Sequence, residues 1–211
     1  MHMSNKCNRG EFLKAVGAAV PAVSAALGCR PRILQPSQSR LKSTAARGGR
    51  IVEAAVGFDK IPFRVPLRFG TGVSSSTTLA TARLWLEASN GKRAQGLGQI
   101  LLGGLWAFPS KVVEGTLREK AMRMLAERTA AWLAKEKPTG HPLEIGWTLK
   151  SQAKTWCREI SQELALGEQM PLLAGLVCVS PFDAAIHDAY GKLHNRSSYD
   201  CYGSDLAPDL G

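Results

Sequence analysis

The segment Ser180 to Arg196, SPFDAAIHDAYGKLHNR, brings Asp183, His187 and Asp188 within six residues, with Lys192 just beyond. Two carboxylates and an imidazole are the groups of general acid–base chemistry. Asp183 and His187 stand four apart, the spacing that puts two side chains on one helix face. As a metal site the group is two ligands short, and no other His or Cys cluster supplies them. As a nucleophilic triad it lacks the strained G-x-S-x-G turn that would present Ser180. Phe182, Ile186, Ala189 and Leu193 mark an apolar stripe at helical spacing, and Asp183, His187, Tyr190 and His194 form the stripe beside it. Ser180 at the N-cap, Pro181 at N1 and Asp183 at N3 each suit a helix start, which predicts that the last helix begins there. The segment therefore reads as a packing helix. No catalytic residue and no metal ligand is expected in this chain.

The elements that hold this helix change character along the chain. From Arg50 the sequence is rich in alternating residues: Leu79, Thr81, Arg83, Trp85 and Glu87 interleave with Ala80, Ala82, Leu84, Leu86 and Ala88. A period of two marks a strand in a half-buried sheet. Ser89-Asn90-Gly91 is a hairpin turn signal. The expectation is an antiparallel meander with strands near 50–58, 77–88 and 92–99, and a long loop over 61–76. The period then becomes helical. Val113, Leu117, Ala121, Met124 and Trp132 predict a helix near 111–136, stopped by PTGHP. Ile145, Leu149, Ala153, Trp156, Ile160 and Leu164 predict another, with Gly167 as its C-cap. The fold class is α+β: a three-stranded antiparallel β-meander followed by a bundle of about three helices.

Composition is ordinary for a globular protein, with 45% apolar and 21% charged residues, but the net charge is +10. That charge is uneven. Residues 1–50 carry nine Lys and Arg against Glu11 alone, whereas residues 51–211 are nearly balanced. A nucleic-acid binder needs its cations on a folded surface, so a nucleic-acid partner is not expected. Residues 1–29 instead read as an export segment, a basic start followed by a small-residue apolar run from Ala15 to Gly28, too short to span a bilayer. NRGEFLK resembles a twin-arginine signal with Gly10 in place of the second arginine. ALGC resembles a lipoprotein box, making Cys29 the candidate lipidation site and membrane anchor. Residues 30–49 read as a flexible basic linker. The localisation implied is exported, periplasmic or membrane-tethered, with a cytoplasmic protein carrying an Ala-rich extension as the alternative. The five cysteines show no C-x-x-C and no zinc spacing; a disulfide among Cys157, Cys178 and Cys201 is the expectation for an oxidising compartment, and buried free thiols are the expectation where no pattern pairs them.

Taken in order, IPFRVPLRFG, the hairpin LWLEASNGKRAQGLGQ, LWAFPS and FDAAIHDAYGKLHNRSSYDCYG resemble the enolase superfamily. Within it they resemble the N-terminal capping domain of the mandelate racemase and muconate-lactonizing branch, over residues 50–203 (meander 50–110, helical part 111–203). Gly96-Leu97-Gly98-Gln99 stands where G-x-G-E is common. Ala185, Ile186, Asp188, Gly191 and Lys192 match A-[LI]-x-D-x-x-G-K. Gln99 replaces the usual Glu, and His187 stands where Trp is common.

The resemblance implies Mg²⁺-assisted removal of the proton α to a carboxylate, as in racemases, cycloisomerases and sugar-acid dehydratases. It places the base lysine and the acidic metal ligands on a barrel, with residues 204–211 leading toward it. No cofactor is thus expected in this chain, and Mg²⁺ is expected for a full-length parent. The implied partners are that C-terminal barrel or an equivalent apolar surface, and a small carboxylate or sugar-acid substrate; a homo-oligomer is a further arrangement. The resemblance also makes 61–76 and 100–110 the substrate-specificity loops. Arg64 or Arg68 would face an acidic substrate, and Phe69 or Trp106 would exclude water from it. The rival expectation is an exported, membrane-tethered α+β binding module with no catalysis.

Overall fold

The computed structural model describes residues 48–69 and 72–207. Strands β1 (Gly49–Phe69), β2 (Gly72–Ala88) and β3 (Arg93–Leu102) form an antiparallel meander. A two-residue strand β4 (Thr139–Gly140) adds to the outer side of β1, so the sheet has four strands in the order β3-β2-β1-β4. The helices are a single turn α1 (Gly104–Ala107) and three long ones: α2 (Gly115–Glu136), α3 (Pro142–Glu163) and α4 (Leu172–His194). A 3₁₀ turn, Ser198–Tyr202, follows α4. The architecture is the expected α+β one, with β4 as an addition.

Alternation in β2 decides which face of the sheet is covered. Ala80, Ala82, Leu84 and Leu86 are buried beneath the helices, while Arg83 and Trp85 lie on the open face. On α3, Ile145, Leu149, Ala153, Trp156 and Ile160 are buried, as their spacing predicts. On α2 the buried stripe differs from the one expected. It runs through Ala121, Met122, Leu125, Ala126, Thr129 and Leu133, and leaves Leu117, Met124 and Trp132 at its margin. Small residues let α2 lie close to its neighbours, so bulk is a poor guide to its inner face. Trp132 instead meets Trp156 edge-on, with ring centroids 6.1 Å apart.

Helix α4 is the centre of the core and overturns the expected start at Ser180. It runs unbroken from Leu172, with Pro181 inside it. Proline has no N–H to offer the carbonyl four residues back, here that of Val177. The Ser180 hydroxyl donates to that same carbonyl at 2.9 Å. Ser180 thus repairs the break that Pro181 makes, and Asp183 is mid-helix rather than a cap. The end of α3 also differs: the chain leaves it at Leu164, and Ala165, not Gly167, takes the left-handed conformation, with φ 47°.

Strand β3 meets α4 through its glycines. A Cβ at Gly96 would overlap the Ala185 carbonyl oxygen, and one at Gly98 the Pro181 carbonyl oxygen. The helix therefore rests on the strand backbone. Two side chains of α4 then reach the free edge of β3. Asp188 Oδ2 accepts from the Leu97 N–H at 2.9 Å, and Lys192 Nζ donates to the Gln95 carbonyl at 3.1 Å. Asp188 and Lys192 also pair with each other at 2.7 Å. One donor and one acceptor of an exposed sheet edge are covered in this way. Cys157, Cys178 and Cys201 are buried free thiols. Burial pushes the Cys157 thiol up to about 11, which leaves it unreactive at neutral pH.

Candidate functional site

The segment 61–76 is mostly ladder rather than loop. Ile61 pairs with Thr77 and Pro62 with Ser76; pairing lapses, then resumes from Leu67 opposite Ser74 to Phe69 opposite Gly72. The lapse falls between two prolines, Pro62 and Pro66, neither of which can donate to the ladder. The β1–β2 hairpin therefore extends past the sheet as a two-stranded arm. Segment 100–110 leaves β3, turns at Gly103 and forms α1, where the Trp106 indole packs against Gly103. The Ser110 hydroxyl then accepts from the N–H groups of Val112 and Val113, at 3.0 and 2.7 Å, turning the chain toward α2.

Arm and connection face one another across a cavity of about 460 Å³. Phe63, Leu67 and Val73 of the arm and Leu101, Leu105 and Trp106 of β3 and the connection are among its lining residues. Thr78 and Glu119 also line it, joined by a hydrogen bond from the threonine hydroxyl. Arg118, in the opening turn of α2, fixes the connection. Its Nη1 donates to the carbonyls of Gly104 at 3.2 Å and Phe108 at 2.9 Å, while its Nε is buried without a partner.

Of the residues expected at this site, Trp106 lines the cavity. Arg64 and Arg68 are exposed on the arm and are not among the lining residues. Phe69 pairs with Gly72 through its backbone; its side chain lies outside the described residues, as do Cys29 and the whole export segment. Sequence reasoning missed Phe63, Leu67, Val73 and Arg118. One signal for Arg118 was present, since a cation in the first turn of a helix opposes the helix dipole and needs another reason to be there.

The other constellation, around His187, sits at a different place, between α4, the start of α3 and the 3₁₀ turn. His187 Nδ1 lies 3.0 Å from the Tyr202 hydroxyl, and its Nε2 is 3.8 Å from Asp183 Oδ1. Burial holds the His187 imidazole below its usual pKa, against the pull of Asp183, and the same burial raises the Asp183 carboxyl. His141 caps α3. Its Nδ1 accepts from the Leu143 N–H at 3.3 Å, and its Nε2 lies 3.1 Å from the Cys201 carbonyl, so the ring proton belongs on Nε2. Glu144 completes the capping box by accepting from the His141 N–H at 2.8 Å. Asp188 points to the β3 edge instead, and Ser180 is engaged with Val177. The grouping ties the 3₁₀ turn to the helices and presents no activated nucleophile.

No protein-family model and no curated protein matches the sequence. Similar solved structures include an enolase from Bradyrhizobium complexed with magnesium and mandelic acid, at 19% identity and a TM-score of 0.40 over 70% of this chain and 32% of that one. An enolase-superfamily member from Listeria innocua is 17% identical, with a TM-score of 0.43 over 74% and 34% of the two chains. L-talarate/galactarate dehydratase from Salmonella typhimurium is 12% identical, at 0.40 over 89% and 39%. The chain thus spans about a third of the length of these structures.

Proposed function

We propose that residues 50–203 serve as the substrate-facing cap of an enzyme that removes the proton α to a carboxylate with the help of Mg²⁺. The observation that carries this reading is the meeting of the β1–β2 arm and the β3–α2 connection around one cavity, with Trp106 in its wall. Those are the two segments that the resemblance assigns to substrate contact. The G-x-G and D-x-x-G-K motifs support it as well, because they form one clasp between β3 and α4 and so hold the connection in place.

Among the described residues no group of three or more His, Cys, Asp or Glu side chains is placed to hold a metal ion. The resemblance gives the Mg²⁺, the base and the acidic ligands of such a reaction to a barrel, a second body beside this cap. This chain's own part is to enclose one end of the substrate and to shield it from water. Apolar residues left in solvent suit a docking role: Leu143 and Trp147, four apart on α3, are 39% and 69% exposed. Export and a lipid anchor at Cys29 are proposed with this reading, on the basic start and the apolar run that follows it.

The test is the protein isolated from its native cells. Its intact mass is compared with that of the 211 residues, and it is incubated in D₂O with Mg²⁺ and a panel of α-hydroxy and sugar acids. The reading expects a heavier species that exchanges the α-proton, and no exchange by the 211-residue chain alone. Turnover by the chain alone would overturn it. A native species no heavier than the chain, inert toward every acid, would turn the search to the binding-module reading.

A further inference from the structure

We infer that α3 lies along an anionic phospholipid surface, with Trp147 as its apolar anchor and Lys150, Lys154 and Arg158 as its cations. Leu143, Trp147, Lys150, Lys154 and Arg158 follow one another at steps of four, three, four and four. They form one exposed stripe, turned away from the buried Ile145, Leu149 and Ala153. No carboxylate pairs with any of the three cations among the described residues. The acids of α3 are engaged elsewhere: Glu144 accepts from the His141 N–H, and Glu159 and Glu163 pair with Arg128 of α2. The Lys150 ammonium instead lies 4.7 Å from the centre of the Trp147 ring. An exposed indole joined to unpaired cations along one face is the composition of a helix that rests in a membrane–water interface.

The route of the chain says what covers this stripe. Gly49 and Arg50 of β1 pair with Gly140 and Thr139, and α3 begins just beyond them at Pro142. A Cβ on Gly48 would meet the Gly140 backbone, so the chain enters the fold beside the start of α3. The sequence before that point carries Arg30, Arg32, Arg40, Lys42 and Arg47 without one acid, behind the proposed lipid anchor at Cys29. An anchored chain therefore presents Leu143 and Trp147 first to the surface that holds the anchor. Each cation near an anionic bilayer adds attraction, and the two apolar side chains gain by leaving water. A nucleic acid would satisfy the cations but not Leu143. The direction of approach rests on the anchor reading, whereas the chemistry of the stripe stands without it.

The full 211-residue chain, made without lipid on Cys29, is co-sedimented with vesicles of phosphatidylcholine, alone or mixed with phosphatidylglycerol. Lys150→Gln/Lys154→Gln/Arg158→Gln removes the charge of the stripe, and Trp147→Ser removes its anchor. Lys111→Gln/Lys120→Gln/Lys135→Gln removes the same charge from exposed positions off the stripe. Circular dichroism checks each fold. The N-terminal cations are the same in every protein, so their own pull on lipid cancels in the comparison. The expected result is binding to the mixed vesicles and not to phosphatidylcholine alone. It should weaken about tenfold or more when the stripe loses its charge, severalfold in Trp147→Ser, and about threefold or less in the off-stripe variant. Equal weakening by the two charge sets overturns the inference, as does an absence of binding to the mixed vesicles or equal binding to phosphatidylcholine alone. Tighter binding of a single-stranded oligouridylate than of the mixed vesicles also overturns it, and makes the partner a nucleic acid. The cap reading is judged separately by α-proton exchange in the native species, and the anchor by that species' intact mass, so each can fail alone.

Discussion

The backbone N–H of Leu97 donates to Asp188 Oδ2 at 2.9 Å, and through that bond α4 closes the free edge of the sheet. A carboxylate that accepts from an otherwise unpaired edge amide contributes more than a surface ion pair does. Asp188→Ala is expected to cost about 1–2 kcal/mol, read from the urea midpoint. Lys192→Ala, which removes one carbonyl contact and an exposed pair, is expected to cost about 1 kcal/mol or less. The reverse order would show that the edge bond is not what holds α4 to β3.

Gly96 and Gly98 set how near α4 can come. A methyl group at either position meets helix backbone, which has no rotamer through which to yield. Gly96→Ala and Gly98→Ala should each destabilise by about 3 kcal/mol or more, the upper end for overpacking. Gly57→Ala is the control. It is also a strand glycine, but a Cβ there meets nothing within 4 Å. Equal melting temperatures for Gly98→Ala and the unmodified chain would contradict the close approach.

Acid should loosen the 3₁₀ turn. His187 and His194 have pKa values held below the ordinary 6.5 by burial. The unfolded chain then takes up protons at a higher pH than the folded one, so their contribution to stability is full above 6.5 and is lost as the pH falls below it. Asp183 acts in the opposite sense and lower down. Its pKa is raised above 3.8 by burial, so its contribution is present below 3.8 and is lost as the pH rises through the shifted value. The groups facing His187 are Asp183, His141 and Tyr202; those around His194 are Arg196, Lys92, Asp205 and His141. The urea midpoint should therefore fall between pH 7.5 and 5.5, and should fall less in His187→Gln. An identical fall in both would show that His187 takes no part.

What the sequence makes legible follows from where the physics is local. The alternation of Ala80 to Leu86 is plain because each side chain is sorted to one face of one sheet. The stripe on α3 is plain because large residues carry it. Ser180-Pro181-Phe182-Asp183 misleads for a physical reason. The same residues that start a helix can also continue one, provided the serine satisfies the carbonyl that proline abandons. Ser180→Ala should accordingly cost about 1 kcal/mol. The 61–69 arm reads as loop because prolines interrupt it, although pairing resumes beyond the bulge. In the arm, Arg64 and Arg68 stand out in the sequence by charge, while the residues that line the cavity are the apolar Phe63, Leu67 and Val73. Which side of an irregular arm faces inward is decided by register, and periodicity is silent there.

Arg118 tests whether the connection is held in place or merely lies there. Its guanidinium bridges the carbonyls of Gly104 and Phe108, the two ends of the turn that presents Trp106. Charge-assisted bonds of this kind contribute about 1.5–3 kcal/mol, offset here by the desolvation of an Nε that finds no partner. Nη1 alone meets both carbonyls, and a lysine Nζ also carries several donors on a shorter reach, so Arg118→Lys should rescue part of the loss. Arg118→Ala is expected to speed hydrogen exchange of the amides of Trp106 and Ala107 by about tenfold, and to leave those of Leu84 and Leu86 in the sheet core nearly unchanged. A uniform rise in exchange across the chain would mean that Arg118 supports the whole fold. A local rise confined to α1 would mean that it positions Trp106, a lining residue of the cavity.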